Sequence, residues 1–218
     1  MKPKMKTIKN LQSLVGLELS VDNQTGEAGR DFEFLIQAKL GITVDKGPGP
    51  DLQKFNLEIK TREETAHGDE TVGNMTIAQI IITPFEQTNL WRKVQHQIRV
   101  KTRKEDYHSV DEHGYITTKQ KNIITKIGLF DFTDEHIQRD LKNSYEQARA
   151  ALTKLHTKSL ADKTELIFGN YQKIKGTRYG YLEYKSSNSF SFRVPFRRMD
   201  ELESRSKKCS DFLTSADE

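Results

Sequence analysis

The 218-residue chain has one cysteine, Cys209, one tryptophan and five prolines. A single thiol excludes an internal disulfide framework and any multi-cysteine zinc site. No stretch is long and apolar enough to span a bilayer, and no apolar run follows the basic amino terminus as it would in a signal peptide. The reading is therefore a cytoplasmic protein with no membrane partner. The six histidines (His67, His96, His108, His113, His136 and His156) have no paired metal-ligand spacing. There is no phosphate-cradling glycine loop, because Gly47-Pro48-Gly49-Pro50 has too few backbone N–H groups to offer. No serine or threonine is framed as an activated nucleophile. A large excess of either charge is also missing: Lys and Arg outnumber Asp and Glu by only 35 to 31, for a net charge of +4. That permits a polyanionic partner without demanding one.

What remains is polar but periodic. Hydrophobic residues make up 34% and charged residues 30%, and the apolar positions recur in runs that can form a core. The length fits one sizeable domain, or a domain with a small second lobe. A helix is expected from residue 27 or 29 to 40, with Phe32, Leu35, Ile36 and Leu40 as its stripe and Gly41 at its end. The segment from Leu11 to Leu19 suggests one or two short helices broken near Gly16. Met75 to Thr83 reads as a buried strand ended by Pro84. Leu90 to Val100 suits a helix that runs into a strand. Asp106 to Thr118 suits a hairpin turning at Glu112-His113-Gly114, and Ile123 to Phe132 a further strand. Thr133-Asp134-Glu135-His136 starts a helix that continues to about Lys154, with Ile137, Leu141, Tyr145, Ala148 and Leu152 along one side. Residues from about Glu201 read as a polar, frayed tail.

The chemistry concentrates between Gly47 and Lys60. The Pro/Gly turn delivers Asp51, and a short strand follows. In it Phe55, Leu57 and Ile59 face one way, and Asn56, Glu58 and Lys60 the other. Two carboxylates and an ammonium at one strand end suit a divalent cation with an activated water. Mg²⁺ takes oxygen ligands and usually keeps several waters beside one or two carboxylates. The lysine would stabilise charge on the attacking water or on the phosphate. The same letters also fit a turn followed by a strand with a solvated face. Glu33, on the expected helix beside its apolar stripe, could complete the site or stand as a surface glutamate. From Phe168 to Arg198 basic and aromatic residues interleave. This suits phosphate contact and base stacking, or an ordinary sheet with aromatics inside and cations outside.

The order of these pieces resembles the PD-(D/E)xK nucleases. It is most similar to the MutH-like branch, which holds a mismatch-repair nickase and GATC-cutting type II restriction enzymes. The resemblance rests on Gly29-Arg30-Asp31-Phe32-Glu33, Leu40-Gly41-Ile42, Pro50-Asp51 and Leu57-Glu58-Ile59-Lys60-Thr61. It runs strongly over residues 11–62 and loosely to about residue 198. It implies an α/β restriction-endonuclease-like fold, with a mixed central sheet flanked by helices and a C-terminal DNA-binding lobe. The catalytic lobe would span about residues 11–130, the DNA-reading lobe about 131–200 and the tail 201–218. Asp51 and Glu58 would be metal ligands, joined by the Ile59 carbonyl, with Lys60 the catalytic lysine. Glu33 would complete the site, and Lys93 would match a further active-site lysine. Relatives carry a lysine before the helix glycine where this chain has Thr25, so Arg30 is the candidate for that phosphate contact. Lys173, Lys175, Arg178, Tyr179, Lys185, Arg193 and Arg197 are the candidates for DNA contact. The implied reaction is Mg²⁺-dependent hydrolysis of double-stranded DNA leaving 5′-phosphates, with Mn²⁺ able to substitute. The protein would act as a monomer or homodimer. The alternatives are a nickase activated by repair partner proteins and a non-catalytic DNA-binding module of the same fold.

Overall fold

The structure is a computed structural model that describes residues 11, 13–20, 35, 38, 50–52, 56–163, 172–186 and 188–208. In chain order the elements are β1 (Glu18–Ser20), β2 (Glu58–Glu63), β3 (Asp69–Thr76), α1 (Ile77–Ile82), a 3₁₀ turn (Phe85–Gln87), α2 (Asn89–Gln95), β4 (His96–Val110) and β5 (Ile116–Asp131). Then come α3 (Glu135–Asp162), β6 (Lys173–Lys175), β7 (Tyr181–Tyr184), β8 (Ser189–Pro195), α4 (Phe196–Arg205) and β9 (Lys207–Lys208). The chain is a mixed α/β protein with two sheets, and it divides into two units that interleave in sequence. The first holds residues 1–66, 96–130 and 207–218; the second holds 67–95 and 131–206.

In the first unit the sheet order is β1-β5-β4-β2, with β9 also on β5. β2 runs parallel to β4, with Glu58 beside Gln97 and Lys60 beside Arg99. β1 runs antiparallel to β5, so the sheet is mixed. Residues 18–20 are thus a strand, where the sequence suggested helix: Gly16, at φ 87°, turns the chain and its N–H donates to the Ile124 carbonyl. One face of the sheet is the core, where Leu11, Leu14, Leu52, Leu57, Ile59, Ile98, Val100 and Ile124 are buried together. Each such aliphatic contributes about 1.5–3 kcal/mol. β4 and β5 form one long hairpin of 15 and 16 residues, where the sequence suggested separate shorter strands. Its turn lies where expected. Gly114 adopts φ 85°, and the Asp111 carboxylate accepts from the N–H groups of His113 and Tyr115.

In the second unit the sheet order is β3-β8-β7-β6, with every pairing antiparallel. Asp134 caps α3 by accepting from the His136 and Ile137 N–H groups. All five expected stripe residues, Ile137 to Leu152, are buried. The helix continues to Asp162, beyond the expected end near Lys154, and stops at Lys163 in the left-handed region (φ 49°). Tyr145 packs on Phe85 (5.3 Å between ring centroids) and edge-on to Phe192 (5.7 Å). The β6–β7 turn presses so closely on α3 that a Cβ on Gly176 would stand 2.1 Å from the Ser144 carbonyl oxygen.

Two expectations are overturned here. Met75 to Thr83 is not one strand. β3 ends at Thr76, and Ile77–Ile82 is helical because Thr76 and Gln79 close a capping box. The tail does not fray at Glu201: α4 runs to Arg205, with Met199 and Leu202 buried. Among the described residues, no helix is long and apolar enough to cross a membrane.

Candidate active site

Leu52 and Leu57 exchange backbone hydrogen bonds (2.9 and 3.2 Å) across a tight reversal. Asn56 allows it by taking φ 53°, a left-handed value that asparagine tolerates. The expected strand therefore begins at Glu58, later than its apolar alternation suggested. The reversal carries Asp51 back to the strand, where its Oδ2 accepts from the Ile59 N–H at 2.7 Å. The N–H and C=O of one strand residue leave the strand on the same side. The Ile59 carbonyl therefore faces the side on which Asp51 sits.

Ile59 points into the core, so Glu58 and Lys60 share the opposite face. Their side chains meet, with Lys60 Nζ 2.9 Å from Glu58 Oε1. Glu58 is 2% exposed and Lys60 20%. Burying an ion pair contributes little net stability, because desolvation offsets the attraction. The parallel register continues this face onto β4 with Gln97, Arg99 and Lys101. Gln97 and Arg99 are buried, and Arg99 Nη1 donates to Gln97 Oε1 at 2.7 Å. Sequence reading missed both. The alternation Gln97-x-Arg99-x-Lys101 was visible, but its pairing with β2 was not.

Asp51 is thus bonded to the Ile59 backbone, and Glu58 and Lys60, on either side of Ile59, are paired with each other. Glu33 and Arg30 lie outside the described residues. Among the described residues no group of three or more His, Cys, Asp or Glu side chains gathers as a metal cluster. Two carboxylates and one carbonyl are nevertheless an all-oxygen set suited to Mg²⁺, which completes its shell with water and substrate.

The other candidates belong to the second unit. Lys93 is half-buried on α2. β6, β7 and β8 sort their residues by face. Ile174, Leu182, Phe190 and Phe192 are buried on one, while Lys173, Lys175, Glu183 and Arg193 take the other by register, where Lys185 donates to Glu183. Lys173, Lys175 and Lys185 are exposed; Lys173 Nζ lies 4.8 Å from the Tyr181 ring centroid. Arg193 is half-buried, donating to Glu183 (2.7 Å) and to the Asp69 carbonyl (2.8 Å). Tyr179 is buried, and its hydroxyl donates to Glu201 at 2.5 Å. Burial, then that hydrogen bond, raises the Tyr179 pKa. Arg178 is exposed, lies over the Tyr179 ring and donates to its hydroxyl at 2.9 Å. The hydrogen bond to Tyr179 raises the Arg178 pKa. Arg197 is exposed on α4.

No protein-family model matches the chain, and no curated protein does. A solved structure described as "Restriction endonuclease MvaI-cognate DNA substrate complex" is similar to it, with a TM-score of 0.42 and 10% identity over 92% of this chain and 94% of that one.

Proposed function

We propose that the chain is a Mg²⁺-dependent endonuclease of double-stranded DNA with a restriction-endonuclease-like, MutH-like site, acting as a type II restriction enzyme. One observation carries this reading. A single strand holds a buried Glu58 paired with the half-buried Lys60 on one face, and Asp51 against its Ile59 N–H. An ordinary solvated strand has no need of that arrangement, since a buried ion pair costs desolvation.

Asp51 and Glu58, with the Ile59 carbonyl, would hold the cation. When bound, the cation supplies Lewis-acid stabilisation of the phosphoryl oxygens and lowers the pKa of water. The rest is the work of the chain. The Ile59 N–H fixes one Asp51 oxygen, which aims the carboxylate. Lys60, held against Glu58, places a positive charge where charge develops on the phosphodiester. In the other unit, Lys173, Lys175, Arg178, Lys185 and Arg197 offer exposed cations for the DNA backbone, whose neutralisation dominates affinity and makes it salt-dependent.

The test is digestion of supercoiled plasmid by the purified chain with Mg²⁺, Mn²⁺ or EDTA, beside Asp51→Ala and Lys60→Ala. Discrete linear fragments with 5′-phosphate ends are expected with either metal, and none with EDTA. Each substitution should slow cleavage by about 10²-fold or more. Full cleavage by the Lys60→Ala protein would refute the assignment. Nicked circles in place of linear fragments would instead favour a partner-activated nickase.

A further inference from the structure

The β4–β5 hairpin outruns its sheet. β2 flanks β4 only as far as Thr102. From Arg103 to Val110, no strand among the described residues lies on β4's outer edge. No residue from 103 to 120 is buried. The eight β4 residues of this arm reach about 27 Å at about 3.4 Å each. Cross-strand side chains hold it together: Asp106 with Gln120 (3.0 Å), His108 with Thr118 (3.3 Å) and Ser109 with Thr117 (2.8 Å). Continuing that register sets Val110 opposite Ile116 at the tip. Val110, Ile116 and Tyr115 are 66%, 72% and 70% exposed. Two-stranded ribbons are at best marginally stable alone in water, and clustered exposed apolar side chains mark an interaction site.

The charges select the partner. A duplex major groove admits a two-stranded ribbon. Yet residues 103–120 carry three Lys or Arg against four Asp or Glu, with no Lys or Arg from 105 to 118. Such a tip is repelled by phosphates. Its acids, Asp111 and Glu112, instead complement Arg103 and Lys104 at the arm's own base, exposed cations that pair within the chain with Glu105 (2.6 Å) and Glu63 (3.3 Å) and can share or exchange those partners. A two-fold axis that lays two arms side by side, tip against base, makes this contact twice and covers both apolar tips. Eighteen residues approach the roughly 20–30 per side of a standard interface.

We propose that residues 103–120 are the surface through which two copies of this chain associate, arm against antiparallel arm. The test is the mass of the full chain in solution by light scattering as a function of concentration. The wild type should move from 25.2 kDa towards twice that mass. Val110→Asp with Ile116→Asp should hold it monomeric, with an unchanged circular-dichroism spectrum. Lys104→Glu and Glu112→Lys should each weaken association by about tenfold, since symmetry counts each lost contact twice, and together should restore it. A wild type that stays monomeric at every concentration overturns the proposal. So does a tip variant that associates as the wild type does, or one that loses affinity for a duplex oligonucleotide while its mass is unchanged.

Discussion

Asp51 shows how much one side chain can settle. Its bond to the Ile59 N–H ties a turn to a strand and fixes the orientation of a carboxylate at the same time. Glu183 is a second such residue, standing between Lys185 and Arg193 at 2.7 Å from each. Burial alone would raise its pKa, but the two hydrogen bonds outweigh burial and hold it below the usual carboxylate value. A carboxyl depressed in the folded state stabilises fully above its unfolded pKa, about 4.3. That stabilisation is lost as pH falls through the lower folded value. Glu183→Gln should therefore destabilise at pH 7 and differ progressively less from the wild type as the medium is acidified below about pH 4.3. Urea midpoints across that range measure it, and a constant gap at all pH values would contradict it. At this scale the sequence was most informative where neighbours are local. Asp51, Glu58 and Lys60 lie within ten positions, so turn chemistry and strand alternation could single them out as candidates. Gln97 and Arg99 join them only through a parallel register set nearly forty positions away, which no local pattern encodes.

Among the elements, α1 is the instructive failure. Ile80-Ile81-Ile82 follows Ile77, and a β-branched run of this kind favours strand. The capping box at Thr76 and Gln79 wins because it satisfies backbone donors that a helix start leaves open, and because Ile77 and Ile80 fall on one buried face while Ile82 stays 74% exposed. Thr76→Ala should cost about 1 kcal/mol, read as a lower denaturation midpoint with an unchanged slope; no shift would mean that tertiary packing alone holds α1. The mixed basic and aromatic segment was legible as sheet. Phe190 and Phe192 are buried in the core, while Lys173, Lys175 and Lys185 stay at the surface on the opposite face, which the half-buried Tyr181 shares. α4 was missed because its polar letters hide a narrow stripe: Met199, Leu202 and Glu203 are buried, Phe196, Arg198 and Glu201 are half-buried, and the rest are exposed.

At the scale of the whole molecule, the two units share one chain without dividing it in two. Residues 67–95 leave the first unit after β2 and return to it at β4. A protease site engineered between Glu112 and His113 should yield two fragments that migrate together under native conditions, because β4 and β5 pair across the cut. Separation of the fragments on a native gel would show that the hairpin does not bind them. The same interleaving sets a timetable during synthesis. Glu58 leaves the ribosome 39 residues before its neighbour Gln97, about 2–8 s at the usual 5–20 residues per second. The first half of the first unit must wait while part of the second is made. Among the described residues β2 pairs with no strand but β4, so the nascent chain carries the letters of the candidate site for several seconds before the strand that flanks it exists.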